Sequence, residues 1–258
     1  MVKHYIIMSS SYKKGKRIAI NFNNEKNITE DFMKKQIEKI IEKCGRNAAI
    51  STHFIQTEST SWESVVQADS FFKEVYLTKD IKEFIQLING DRDLEGIDVA
   101  KYILSRIKCT HLKLEKLVYM CYAEYLCNTE KNLFEDKIYA FRYGPVIDSV
   151  YEQYKVYGHS EISEGQSDLR PEADDKEAIE SLEQYKMAIR SRILFAEDGL
   201  EKLKTIEDTI EKYDKYTANE LVNITHKGET PWQIAFDGGA YTEISKKIIF
   251  EYHCNEIV

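Results

Sequence analysis

No stretch of this sequence approaches the roughly 18 to 20 consecutive apolar residues that a bilayer span requires. The opening MVKHYIIMSSSYKK likewise has neither the apolar core nor the small-residue cleavage site of a secretory signal. The two absences predict a soluble, cytoplasmic chain with no membrane partner. Cysteine is sparse: Cys44, Cys109, Cys121, Cys127 and Cys254 are odd in number, form no C-x-x-C pair and have no matching pair of histidines. That pattern excludes a zinc ribbon or finger and predicts reduced, mostly buried thiols. Cys121 and Cys127 lie six apart on an expected helix and so project from different faces. Also missing are G-x-x-x-x-G-K-[ST], G-x-G-x-x-G, H-E-x-x-H and G-x-S-x-G. The sequence therefore gives no catalytic residue, metal site or cofactor, and is read as that of a protein that is not an enzyme.

What is present is 258 residues, 43% of them hydrophobic, enough for one large core or two modest ones. The net charge of −8 is unevenly spread: residues 1–90 hold 14 Lys/Arg against 11 Asp/Glu, leaving 22 against 33 for residues 91–258. The acidic remainder disfavours nucleic acid, whose binding depends on cations displacing phosphate counterions, and favours a basic protein partner.

The periodicity divides the chain in two. HYIIM and IAINF read as strands joined by a polar loop around Gly15. Asn27 with Glu30 then caps an amphipathic helix that carries Phe32, Met33, Ile37, Ile40, Ile41 and Cys44 and stops at Gly45. AAISTHFI reads as a strand, Thr60-Ser-Trp-Glu63 as a capping box and Phe72 to Leu77 as a further strand. A last helix runs from Thr78 to a stop at Asn89-Gly90. The order ββαβαβα predicts a small α+β domain over residues 1–90. The polar GDRDLEGI stretch marks the boundary, and residues 91–258 are predicted to be mostly helical, with stripes such as Leu114, Leu117, Val118 and Cys121 facing a core.

Within that second part Lys137 to Tyr143 reads as a β-like segment ended by Gly144-Pro145. Alternation along it predicts Tyr139 and Tyr143 on one face and Ile138 and Arg142 on the other. Amphipathic aromatics and arginine make Tyr139, Arg142 and Tyr143 interface candidates. Trp232 joins them, since its indole N–H would suit a partner, although packing at a helix start is its plainer role. Between Glu161 and Glu180 lie eight acidic and two basic residues, a loop in which Glu161, Glu164, Asp168, Glu172, Asp174 and Asp175 would steer a basic partner. His226, in Ile224-Thr-His-Lys, reads as a residue capping a helix end before it reads as a base.

Four ordered elements resemble a known family. They are Asp98-Val-Ala-Lys-Tyr; Leu112-Lys-Leu-Glu-Lys-Leu-Val-Tyr119; Ala140-Phe-Arg-Tyr-Gly-Pro-Val146; and Thr225-His226 followed by Pro231-Trp232. Together they are similar to the Panacea, or SocA-like, antitoxin domain, whose sequences run D-V-A-x-Y, L-x-K-L-x-Y, A-x-x-x-G-P-V and T-H followed by P-W. The resemblance covers about residues 97–236. It implies an antitoxin that neutralises a cognate toxin by direct binding or by handing it, as an adaptor, to a protease. Two other readings stand beside it. One is a phage or mobile-element protein that binds a host defence factor. The other is a nucleotide or nucleic-acid enzyme using the basic Lys13-Lys-Gly-Lys-Arg17 loop, for which a solvated hairpin tip is the plainer account.

Overall fold

The computed structural model describes residues 1–23, 28–46, 48–163, 176–239 and 241–254. They form two compact units, Met1–Arg92 and Asp93–Val258, and the fold is α+β.

In the first unit β1 (Val2–Ser11) and β2 (Lys16–Phe22) form a hairpin over Gly15, whose φ of +61° suits glycine. They are followed by α1 (Glu30–Cys44), β3 (Ser51–Thr57), α2 (Trp62–Ala68), β4 (Tyr76–Leu77) and α3 (Ile81–Arg92). The sheet order is β3-β1-β2-β4, with only the β2–β4 pair parallel. Because side chains alternate, Tyr5, Ile7, Ile18 and Ile20 face α1 and α3, while Ile6, Met8 and Ala19 meet Val65 and Phe72 on the other side.

Several boundaries differ from the sequence reading. The first helix is capped by Thr29, whose hydroxyl accepts from Phe32 N–H, and Asn27 lies outside the described residues. Ser61 rather than Thr60 caps α2, accepting from Ser64 N–H. The expected strand from Phe72 to Leu77 shrinks to β4, because Asp69 caps a 3-10 turn over Ser70–Phe72 that buries Phe72. Asn89-Gly90 does not end α3, which continues to Arg92. Asp91 there is buried, and its carboxylate accepts from the backbone N–H groups of Tyr12 and Lys13.

The second unit is built around α5 (His111–Thr129), in which twelve residues are buried. Around it lie α4 (Gly96–Arg106), the hairpin β5 (Ile138–Phe141) and β6 (Gly144–Ile147), α6 (Asp148–Tyr154), α7 (Lys176–Leu194), α8 (Gly199–Tyr213), α9 (Ala218–Thr225), α10 (Pro231–Ala235), β7 (Thr242–Glu243) and α11 (Lys246–His253). One continuous core joins them. Among the described residues no helix is long and apolar enough to cross a membrane.

One expectation is overturned. Cys127 and Cys254 are bonded to each other, fastening α5 to the segment after α11. Spacing along one helix says nothing of a distant segment that returns to it, and Cys254 lies 127 residues beyond Cys127. Cys44, Cys109 and Cys121 are free and buried; burial pushes the Cys109 thiol up to about 12 and raises Cys121 as well.

Candidate functional site

The hairpin of β5 and β6 brings the separate sequence elements together. Sequence alternation carries the strand through Tyr143 and ends it at Gly144-Pro145. Instead β5 ends at Phe141, Arg142 and Tyr143 form the turn, and Gly144 pairs with Phe141 as the first residue of β6. Both tip residues are therefore exposed, rather than one of them turned inward. Tyr143 is 59% exposed, with the Arg142 guanidinium 5.7 Å from its ring centre. Gly144 has φ +102°, and a Cβ there would come within 2.8 Å of both Lys116 Cε and Thr225 Oγ1. Dihedral and space alike require glycine.

Directly beneath, α5 presents two charged side chains to the interior. Glu115 is 1% and Lys116 0% exposed. The Lys116 ammonium donates to Pro145 O at 2.6 Å. Glu115 Oε2 accepts from Ile147 N–H at 3.0 Å, and its Oε1 lies 3.3 Å from His111 Nε2. Two adjacent residues of one helix thus hold β6 through its backbone, at Pro145 and at Ile147. Burial favours the uncharged form of each: it lowers Lys116 to about 8 and raises Glu115. Leu-Glu-Lys-Leu sits in a helix apolar on nearly all sides, and a charged residue inside such a helix must be buried. That is the available signal in the sequence, beside the core stripe of Leu114, Leu117, Val118 and Cys121, which does not include Glu115 and Lys116.

The T-H and P-W elements close the other side. His226 caps the end of α9, its backbone N–H bonded to Val222 O, and its ring stacks on Trp232 at 3.6 Å between centroids. Trp232 stacks in turn on Phe236 at 4.7 Å and donates its indole N–H to Phe141 O at 2.7 Å. The N–H that the sequence offered to a partner is thus used to hold β5. Burial, with the nearby Lys116 charge, lowers the pKa of His226. Asp98, the first residue of the D-V-A-K-Y element, caps α4 by accepting from Glu95 N–H and forms a buried ion pair with Arg192 at 3.0 Å.

Of the sequence candidates, the structure brings Tyr139, Arg142, Tyr143 and Trp232 to one hairpin. Tyr139 is half-buried on β5, its ring edge-on to Tyr241 at 5.5 Å. Glu161 is exposed and bridges Thr110, while Glu164, Asp168, Glu172, Asp174 and Asp175 lie outside the described residues. In the first unit the basic loop is dispersed: the Lys14 amine lies over the Tyr76 ring and the Arg17 guanidinium over the Phe71 ring. Among the described residues no group of three or more His, Cys, Asp or Glu is placed to hold a metal ion. A cavity of about 220 Å³, lined by Tyr119, Met120, Thr225, Pro231 and His253 among others, lies between α5 and the last helices.

Residues 114–233 match the family model described as Antitoxin SocA-like, Panacea domain. No curated protein and no solved structure matches the chain at a significant level. The match contains the Lys116 centre, the hairpin and the Thr225-to-Trp232 closure, and it leaves out residues 1–113, Asp98 included. Residues 114–233, within the second unit, are therefore the part of the chain that matches an antitoxin SocA-like Panacea domain.

Proposed function

We propose that the chain is a cytoplasmic antitoxin whose Panacea domain neutralises a cognate protein toxin by binding it, with the tip of the β5–β6 hairpin as the principal contact. The observation that carries this reading is the family match over residues 114–233. The site adds a physical argument. In A-x-x-x-G-P-V the specified residues Ala140, Gly144, Pro145 and Val146 are buried and build the hairpin. The unspecified positions include Arg142 and Tyr143, which stand in solvent. The family pattern thus describes a frame, and the frame displays two residues of the kind that anchor interfaces.

The frame limits chemistry as well. Lys116 is the residue whose lowered pKa would suit a nucleophile or base, yet it is fully buried with its ammonium on Pro145 O. A side chain held in that way positions backbone and meets no substrate. The excess of acidic residues in 91–258 favours a basic toxin, and Tyr139 flanks the tip as a secondary contact. Co-expression with the product of the adjacent gene tests the proposal. The expected result is that the neighbour arrests growth alone and is silenced by this chain. A harmless neighbour, or one that stays toxic beside this chain, overturns it.

A further inference from the structure

The Panacea match leaves the first unit without a role, and its sheet has one unguarded edge. Strand β3 is outermost in the order β3-β1-β2-β4. One side pairs with β1 without a break, from Val2↔Thr57 to Met8↔Ser51. Among the described residues, no strand pairs with the other side. Soluble proteins ordinarily blunt such an edge with lysine, proline, a bulge or extreme shortness. The opposite edge follows that rule, since β4 has only two residues. Strand β3 does not. Its seven residues, Ser-Thr-His-Phe-Ile-Gln-Thr, contain no Lys, Arg, Asp, Glu, Pro or Gly, and its register shows no bulge.

The strand also offers apolar groups at its middle on both faces. Phe54 is 63% exposed although its ring stacks on the buried Tyr5 at 5.1 Å between centroids. On the other face His53 packs against Phe71, which is itself exposed, and Ile55 lies against the cluster of Val65 and Phe72.

We propose that β3 is a self-association strand, on which a second copy of this chain pairs antiparallel about a two-fold axis at Phe54 to make one continuous eight-stranded sheet. The sequence of the strand argues for a second copy over a foreign one, because it is complementary to its own reversed image. The axis sets Phe54 against Phe54, His53 against Ile55, Thr52 against Gln56 and Ser51 against Thr57. Aromatic and apolar pairs meet at the centre and the exposed Thr52 and Gln56 meet outside them, while the Thr57 hydroxyl stays bonded within its own unit to Ser59 O and Ser64 Oγ. With no charge on the strand, superposing it on itself brings no like charges together. The arrangement is isologous, so it closes at two copies and does not propagate. Seven paired residues form an interface smaller than most stable ones, which makes the dimer weak and concentration-dependent.

Sedimentation velocity on the full chain across the micromolar to millimolar range tests this. The expected result is a reversible monomer–dimer equilibrium. Phe54→Lys and, separately, Thr52→Lys should weaken it at least tenfold while leaving the circular dichroism spectrum unchanged, since both side chains are exposed. A Phe54→Cys variant should form an intermolecular disulfide with oxidised glutathione, and Thr52→Cys should not, because the axis moves two copies of position 52 apart. A chain that stays monomeric throughout overturns the proposal. So does a dimer that neither lysine variant weakens, or one that Phe54→Cys does not cross-link; either outcome would place the contact on another surface. Capture of a foreign strand by β3 with no self-pairing would count against it equally.

Discussion

Lys116 and Arg142 stand on either side of the same hairpin and do opposite work. Lys116 is wholly buried, bonded to Pro145 O, and belongs to a sequence element that the family pattern specifies. Arg142 is exposed at the tip, over Tyr143, and occupies a position the pattern leaves open. The difference shows a buried frame and an exposed tip built into one small hairpin. The charges that hold the backbone are withdrawn from water, and the exposed Arg142 and Tyr143, proposed above as the contact, stand on a turn that the frame supports.

Five experiments would break or sharpen that contrast. The largest effect is expected from Gly144→Val, which would force a side chain into φ +102° and against Lys116 and Thr225. A loss of about 3 kcal/mol or more in urea-induced unfolding is predicted. A variant as stable as the parent would show that the hairpin does not depend on this close approach. Next, Glu115→Ala should cost roughly 2 to 3 kcal/mol, because it leaves Ile147 N–H unpaired and the neighbouring Lys116 charge uncompensated.

At the tip the contrast runs the other way. Arg142→Ala and Tyr143→Ala should leave unfolding within about 0.5 kcal/mol of the parent and speed dissociation of the partner by on the order of 1 to 3 kcal/mol, measured by surface plasmon resonance. Destabilisation without an effect on dissociation would move the interface off the hairpin. Neutralising Glu161, Glu164, Asp168, Glu172, Asp174 and Asp175 together should instead lower the association rate and flatten its salt dependence.

The smallest effect is a pH dependence. Lys116 has a folded pKa near 8, below the 10.5 of an unperturbed lysine. Between those values the unfolded chain binds more protons than the folded one, so stability rises with pH across this window; the unfavourable contribution is fully present below it. The Cys109 thiol, raised from 9.0 to about 12, acts in the opposite sense above pH 9. Between pH 8 and 9 the parent should therefore gain up to about 1 kcal/mol relative to Lys116→Met. Parallel stability curves for the two proteins over that interval would show that Lys116 is not perturbed by burial.

The sequence by itself determined the α+β class, the strand and helix order of the first unit and the helical stripes of the second. Those features follow from local periodicity, which burial of one face imposes residue by residue. It also determined that the Panacea elements occur in order, because motif spacing is a property of the chain. The tertiary structure alone decided that Gly144 opens a strand, that Trp232 spends its N–H on Phe141 O and that Cys127 reaches Cys254. Trp232 and Cys127 depend on partners about a hundred residues away, and Gly144 on the close approach of Lys116 and Thr225, and no local pattern encodes those contacts. The burial of Glu115 and Lys116 lies between these cases. Charged residues within an apolar helix signal an interior polar contact, but which backbone carbonyl and amide they satisfy was settled only when β6 packed across α5.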